Sequence, residues 1–450
     1  MMLTLRDAAL AIGGDLAAEG ELAFDRVTTD SRDVRPGDLF FALKGERFDG
    51  NDFVEQVLAQ GAVAAVTSVP GPGARIVVGD TLQALGQLAA AWRGRFPTTL
   101  LVGVTGSNGK TTVKEMIAAV LSQYVGAKHV HATTGNLNNH IGLPLTLLGM
   151  RAGCRFVVAE MGMNHFGEIS HLTRIARPDV AVITNAGNAH LEMLGSVEGV
   201  ARAKGEIFEG LPPWGCAVIN ADDAHAELWA RLAAGFRQQT FGLCAAEITA
   251  HSVVGSANGS SFMLKTPKGE VPVTLRVPGQ HNVRNALAAA AVAFELQVPT
   301  EVIVQGLEGY HGVKGRLEAK TASNGALLID DTYNANPDSM RAAIDVLAER
   351  GGKTVLVLGD MGEVGSDAPQ RHAEVGAYAK QKGIGTFYAL GEQMVHAAQA
   401  GGGRHFATLD ELVAALHEVV TPDAVVLVKG SRFMKMERVV KALQEDVTCC

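Results

Sequence analysis

Residues 99–112 read Thr99-Leu-Leu-Val-Gly-Val-Thr-Gly-Ser-Asn-Gly-Lys-Thr-Thr112, and Val113-Lys-Glu-Met-Ile-Ala-Ala-Val120 follows. An apolar run, a glycine-punctuated polar loop and a helix-forming run in that order are the pattern of strand, phosphate-binding loop and helix. Gly106 and Gly109 let the backbone curl so that N–H groups face an anion. Lys110 is placed to reach the outer phosphates of a nucleotide, and Thr111 offers a hydroxyl to Mg²⁺. Two residues, not the usual four, separate the loop glycines. A chance Gly-Lys-Thr before a helix is common, but the preceding strand and the doubled threonine favour phosphate binding.

Working outward, the 450 residues exceed one ordinary core, and about 150 residues per domain gives three. Nearly half the residues are apolar and few are aromatic, as in an α/β protein with close helix–sheet packing. A net charge of −8 argues against a nucleic-acid or anionic-membrane surface. The amino-terminal ten residues lack a basic region followed by a long apolar core, and no apolar run approaches a membrane span, so a cytoplasmic location is expected. Cys154, Cys216 and Cys244 are scattered and Cys449-Cys450 ends the sequence, without metal-ligand or disulfide spacing. Reduced thiols are the expectation.

Short strands are expected at 38–43, 64–67 and 75–78, with Arg93–Pro97 as a linker closing a domain of residues 1–97. A central domain, 98–314, repeats strands at 156–160, 180–184 and 216–220 between helical runs, the mark of a mostly parallel sheet covered on both faces. Within it, 247–277 turns polar and β-rich, with turns at 257–260 and 267–269, and reads as a small antiparallel insertion; a helix follows over 281–292. From 315 to 450 a further α/β cycle predicts a Rossmann-like, doubly wound domain, with strands at 326–329, 355–358, 387–390 and 424–428, a helix over 337–350 and a closing helix from Met434.

Open parallel sheets bind ligands beyond the carboxyl ends of their strands, so polar residues there draw notice. Glu160 ends a strand and can present its carboxylate to a metal, or cap a neighbouring helix. His190, in Thr184-Asn-Ala-Gly-Asn-Ala-His190, is by residue type more often a core donor than a Mg²⁺ ligand. Lys204 reads as a solvated helix lysine; a phosphate contact, or carbamylation to an anionic metal ligand, requires a buried amine of lowered pKa. The segments 330–337, 359–365 and 428–432 each follow a strand and divide between loop geometry and ligand contact.

Taken together these segments resemble the Mur ligases, ATP-dependent amide-forming enzymes of peptidoglycan precursor synthesis. The resemblance covers all three domains. It is carried by Thr134-Gly-Asn-Leu-Asn-Asn-His-Ile-Gly-Leu-Pro-Leu-Thr146, Glu160-Met-Gly-Met-Asn164, Gly167-Glu-Ile169 and Ala203-Lys-Gly-Glu-Ile207, and by Asp330-Asp-Thr-Tyr-Asn-Ala-Asn-Pro-Asp338, Leu358-Gly-Asp-Met-Gly-Glu363 and Val428-Lys-Gly-Ser-Arg432. The shortened glycine loop is the one this family uses. The resemblance implies that Gly106, Ser107, Asn108, Gly109, Lys110, Thr111 and Thr112 hold ATP phosphates. It places Asn282 and Asn285 near adenine, and Arg316 and Asp331 as contacts from the linker and third domain. It implies Mg²⁺ among Thr111, Glu160, His190 and a carbamylated Lys204, with Lys110, Lys204, Glu160 and His190 as the catalytic set. Ser31 and Arg32, in a part that resembles the UDP-sugar site, are implied in substrate binding with Asn136, Asn138, Asn139, Tyr333, Asn336, Lys429 and Ser431. Asn51 departs from the family, which often has His after Asp-Gly, and this weakens the residue-level match there. The Asp-Asn-Pro-Arg signature of the diamino-acid-adding members is absent. The activity implied is joining of D-alanyl-D-alanine to UDP-N-acetylmuramoyl-tripeptide through an acyl phosphate, by a monomer. The competing readings are another amide ligase of this fold, of the folylpolyglutamate synthase kind, and a noncatalytic nucleotide-binding subunit.

Overall fold

A computed structural model of the chain describes residues 1–445; Cys449 and Cys450 lie outside the described residues. Cα proximity divides the chain into two compact units. The first holds Met1–Thr105, Val125–Ala181 and Glu206–Cys216; the second holds Gly106–Tyr124, Val182–Gly205 and the chain from Ala217 onward.

In the first unit a five-stranded sheet is ordered Asp15–Ala17, Arg75–Val77, Ala64–Thr67, Asp38–Phe41, Arg26–Thr28. All its neighbours are parallel except the Asp15–Ala17 edge. The helix Thr81–Gly94, capped by Asp80, runs into the expected linker. Arg93 belongs to it: its guanidinium donates to the Phe96 carbonyl (2.8 Å) and to Asp179 (3.3 Å). The helix ends at Gly94, so it takes the first two residues of that stretch. In the same unit Phe156–Glu160 lies between Leu100–Thr105 and Val130–Ala132, parallel to both. Every residue of Phe156–Glu160 is buried, as expected for a strand covered on two faces.

The second unit begins at the glycine loop. Helix Lys110–Val125 follows it directly. The insertion is an antiparallel sheet of Thr249–Ser256, Gly259–Thr266 and Gly269–Leu275, with two-residue turns inside the expected segments. The alanine-rich helix is longer than expected, Gln280–Glu295, and almost wholly buried from Asn282 to Ala293, because alanines allow close approach on every side. The carboxy-terminal sheet is ordered Glu318–Thr321, Leu327–Asp331, Ala424–Lys429, Lys353–Gly359, Thr386–Leu390, Arg404–Phe406, with only the first strand antiparallel. Alternate residues feed two cores. Leu328, Val355, Val357, Val426 and Val428 face one; Ile329, Leu356, Leu358 and Leu427 face the other. Two buried faces make the doubly wound form. The closing helix starts at Glu437, not Met434, because Arg432–Met434 forms a 3₁₀ turn and Lys435 turns left-handed at φ +51°. No helix among the described residues is long and apolar enough to cross a membrane.

Candidate functional site

The glycine loop of the second unit is held by the segment after strand Val180–Ile183. Ser107 N–H donates to the Asn185 carbonyl and Asn108 N–H to Asn185 Oδ1, both at 2.9 Å. Thr184 Oγ1 donates to the Asn108 carbonyl at 2.6 Å, and Gly187 N–H to Ser107 Oγ at 2.9 Å. Thr184 is fixed in turn by Asn220, whose side-chain amide donates to its carbonyl. Two of the loop N–H groups expected to face an anion are thus spent on shaping the loop. Those placed to meet phosphate belong to the first helical turn, ahead of the bond from Val113 N–H to the Gly109 carbonyl. Gly106 (φ +151°) and Gly109 (φ +80°) are required here twice over: a Cβ would fall 1.8 Å from Thr184 Oγ1 and 2.4 Å from Asn285 Oδ1 respectively. Lys110 curls back, its ammonium donating to the Gly106 carbonyl at 2.8 Å.

Beside the loop lies a cavity of about 400 Å³. Asn108, Gly109 and Thr112 line one side of it, Asn282 and Asn285 another, and Arg316, Asp331 and Lys429 a third. Asn285 donates to Asn282 Oδ1 (3.1 Å), and Asn282 donates to the Pro278 carbonyl (2.8 Å), so these two buried amides form a fixed rail. Arg316 spans the loop and the carboxy-terminal segment: it donates to Thr111 Oγ1 at 3.0 Å and lies over the Tyr333 ring at 4.3 Å. Its Nε is buried without a hydrogen-bond partner, a donor left over for an anion. Neighbouring Asp330 and Asp331 point to opposite sides of their strand. Asp330 is committed to Lys320 and Thr332. Asp331 accepts from Lys429 at 2.6 Å inside the cavity wall. Asn336, which caps the helix Pro337–Glu349, also donates to Asn108 Oδ1 at 2.8 Å, and Ser431 donates to the Ala335 carbonyl.

Lys204 is not solvated. It is 2 % exposed, on the helix Val197–Gly205, which packs on Trp229 and Leu232; Trp229 Nε1 donates to the Ala201 carbonyl. Burial, and secondarily the charge of Lys110, pushes its pKa well below the lysine range, which favours a neutral amine. His190 adopts φ +59°, with Nδ1 2.6 Å from Glu363 Oε2, close but not aligned as a hydrogen bond.

In the first unit Glu160 ends its strand as expected. Its carboxylate accepts from Asn138 Nδ2 at 2.8 Å, and its N–H donates to Thr133 Oγ1. Asn139 accepts from Ile141 and Gly142 N–H and so shapes the entry to the helix Gly142–Leu148; Asn136 is exposed. Arg32 forms a two-pronged pair with Asp30, holding that carboxyl at about 2, and Ser31 is half-buried between them. Asn51 bridges Asp49 and Ser68.

Among the described residues no group of three or more His, Cys, Asp or Glu is arranged to hold a metal. Of the residues implied for Mg²⁺, only Glu160 and His190 are of those types. Taken singly, the Thr111 hydroxyl and the Glu160 carboxylate offer the oxygen atoms Mg²⁺ prefers, and the His190 ring offers a nitrogen.

Sequence reasoning passed over Asn185 and Asn220 as loop anchors, and Asn188. Asn188 donates to Asp338 from both its backbone and its side chain. The available signal was their position at or just past strand ends.

A nucleotide-type phosphate loop, a buried lysine and a cavity shared with a doubly wound domain define an ATP-using enzyme of the α/β class. Three family models match along the chain: the Mur ligase family catalytic domain over residues 24–93, the Mur ligase middle domain over 104–293, and the Mur ligase glutamate ligase domain over 315–432. The UDP-N-acetylmuramoyl-tripeptide–D-alanyl-D-alanine ligase of Escherichia coli K12 is 43 % identical over 99 % of both chains. The crystal structure of MurF from Acinetobacter baumannii has a TM-score of 0.94 at 38 % identity, covering 99 % of each chain. MurF ligase from Thermotoga maritima in complex with ADP has a TM-score of 0.83 at 28 % identity, covering 95 % of this chain and 98 % of that one. The chain belongs to the Mur ligase family.

Proposed function

We propose that the chain joins D-alanyl-D-alanine to UDP-N-acetylmuramoyl-tripeptide, using ATP and releasing ADP and phosphate. The observation that carries this reading is the 43 % identity to a ligase of that activity over essentially the whole of both chains. Similarity of that extent does not favour the folylpolyglutamate synthase-like or the noncatalytic alternative.

In this reading the terminal carboxylate of the tripeptide attacks the γ-phosphorus of ATP. ADP departs and an acyl phosphate remains; the dipeptide amine then attacks the acyl carbon, loses a proton, and phosphate leaves. The first-turn N–H groups of the loop helix and the Lys110 ammonium stabilise charge on the transferring phosphoryl group. Ser107, Asn108, Gly109 and Thr112 shape the bed for the phosphates, Asn282 and Asn285 flank the base, and Arg316 brings its leftover donor toward the phosphates. Asp331 orients Lys429, while Tyr333, Asn336 and Ser431 position the incoming peptide. Asn136, Asn138, Asn139, Ser31 and Arg32 serve the nucleotide-sugar substrate. Thr111, Glu160, His190 and a carbamylated Lys204 would hold Mg²⁺, which when bound neutralises phosphate charge. The domains are taken as 1–97, 98–314 and 315–450, in a monomer of the cytoplasm.

The test is product formation by the full chain with ATP, Mg²⁺ and the tripeptide nucleotide, carrying either meso-diaminopimelate or lysine, with and without D-alanyl-D-alanine. The expected result is phosphate release and a pentapeptide mass that both depend on the dipeptide. Phosphate release independent of the dipeptide refutes the assignment.

A further inference from the structure

Four consecutive residues beside the phosphate loop, Asn185 to Asn188, are each pinned by a hydrogen bond. The Asn185 carbonyl and Oδ1 accept from the Ser107 and Asn108 N–H groups, both at 2.9 Å. Ala186 N–H donates to Asp223 Oδ2 at 2.9 Å, just past strand Cys216–Asn220, and Gly187 N–H donates to Ser107 Oγ. The last pin is Asp338, 150 positions from Asn188 and in the first turn of helix Pro337–Glu349. Its Oδ2 accepts from Asn188 N–H at 2.9 Å, and Asn188 Nδ2 lies 3.2 and 3.3 Å from its two oxygens. At the cap of the same helix, Asn336 donates to Asn108 Oδ1 at 2.8 Å. One helix end thus grips both the loop and the segment that shapes it.

A carboxylate fits this place, because the first turn of a helix favours an anion and the Asn188 N–H groups converge on it. Gly187 gives it room. A Cβ there would stand 2.6 Å from Asp338 Oδ2, while the nearest atom outside Asp338 is Asn108 Nδ2 at 3.5 Å. Gly187 is not among the glycines at positive φ, so space rather than backbone conformation calls for glycine. Asp338, Gly187, Asn185 and Asn108 line the cavity, and Asn188 is not among its lining residues. A carboxylate turned toward nucleotide phosphates would repel them. One held by the N–H groups of the neighbouring segment serves them by fixing the shape of their bed.

We propose that Asp338 is a positioning residue for the nucleotide: from its helix it holds Gly187 and Asn188 in place against Ser107, so that the binding shape of the phosphate loop depends on that helix. The proposal rests on the reading of this cavity as the ATP site. Asp338 acts through Asn188 and touches no reacting atom.

The experiment is calorimetric titration of ADP into the full chain for wild type, Asp338→Ala, Asp338→Asn, Gly187→Ala and Asn188→Ala, and for Asp338→Ala combined with each of the last two. Thermal unfolding certifies that each variant is folded at the titration temperature. ADP is expected to bind Asp338→Ala about tenfold more weakly, the scale of one lost hydrogen bond to a charged group. Asp338→Asn keeps an acceptor for the Asn188 N–H and recovers most of the loss. Gly187→Ala pushes the carboxylate off Asn188 and weakens ADP binding, yet changes it less than about twofold in the Asp338→Ala background, where the methyl meets only ordinary contacts. Asn188→Ala likewise weakens binding only while Asp338 is present, although Asn188 does not line the cavity. ADP affinity of Asp338→Ala within twofold of wild type overturns the proposal, even with a lowered unfolding temperature, since the tie then serves stability alone. Tighter binding also overturns it, because the carboxylate then faces the phosphates. So do effects of Gly187→Ala and Asn188→Ala that are equal with and without Asp338. A wild-type chain that binds no ADP refutes the nucleotide reading itself, and is thereby told apart from failure of the Asp338 assignment alone.

Discussion

Replacing Gly106 with alanine tests how the phosphate loop is held. The added Cβ would stand 1.8 Å from Thr184 Oγ1, 3.0 Å from Thr184 Cβ and 3.2 Å from Asn185 N, at a backbone φ of +151°. The backbone term alone is about 1–3 kcal/mol for a residue with a side chain. To clear the methyl, the Thr184 hydroxyl must rotate off the Asn108 carbonyl, which it meets at 2.6 Å, and about 1 kcal/mol of hydrogen bonding goes with it. The sum is about 2–4 kcal/mol against the loop geometry that binds phosphate. If most of it appears in nucleotide affinity, binding weakens about a hundredfold, since about 1.4 kcal/mol is a factor of ten. Calorimetric titration of ADP and of a nonhydrolysable ATP analogue reads this directly. Thr184→Ala removes the nearest atom but leaves Thr184 Cβ close, so the double variant should recover part of the loss. The coupling expected in the cycle is about 1 kcal/mol. ADP affinity in Gly106→Ala within twofold of wild type, or strict additivity of the two changes, would refute the account of the loop.

Lys110→Ala removes the ammonium assigned to the transferring phosphoryl group; turnover should fall at least about a hundredfold, measured as pentapeptide formed per minute, and an unchanged rate would reject that role. Lys204→Ala should be inactive and partly restored by short carboxylates such as formate or acetate, because the buried, readily neutral amine suits carbamate formation; no response at any concentration counts against the carbamate. His281 is pushed down from 6.5 to about 4, first by burial. The unfolded chain therefore binds a proton that the folded chain refuses as pH falls from about 6.5 toward 4, and stability drops across that window, by at most about 3 kcal/mol since the ring keeps part of its surface open to the cavity. Denaturant midpoints at pH 7 and pH 5 should differ less in His281→Asn than in wild type; equal differences would exclude His281 as the source. Lys429→Met strands the buried Asp331 carboxylate and should cost about 3–5 kcal/mol of stability, more than Asp331→Asn with Lys429→Met together. Thermal unfolding of wild type and the two variants checks the order.

The glycine loop was legible because its whole signal lies within residues 99–120: an apolar strand, φ-permissive glycines, a lysine and a helix former. The antiparallel insertion was legible for the same local reason, a change of period with a turn between successive strands. Lys204 was misread from its residues. Arg202 on the same helix is exposed and paired with Glu198, as a solvated face should be, and only the packing of Trp229 and Leu232 beneath the helix buries its neighbour. Arg93–Pro97 reads as a linker because glycine and proline sit there; its first two residues close the helix Thr81–Gly94, and the contact of Arg93 with Asp179, 86 positions away, has no signal in the local sequence.

Residue order alone therefore determined what short-range chemistry can specify: the α/β class, the glycine loop between strand and helix, and the antiparallel insertion. Only the tertiary structure decided which of those groups meet. Arg316 reaches Thr111 across 205 positions, and Asn336 reaches Asn108 across 228. Asp330 and Asp331 carry identical side chains, and strand alternation with the placement of Lys320 and Lys429 gives them separate work. The reason is physical: burial, charge and hydrogen-bond partners are properties of neighbours in space, and most of those neighbours are remote along the chain.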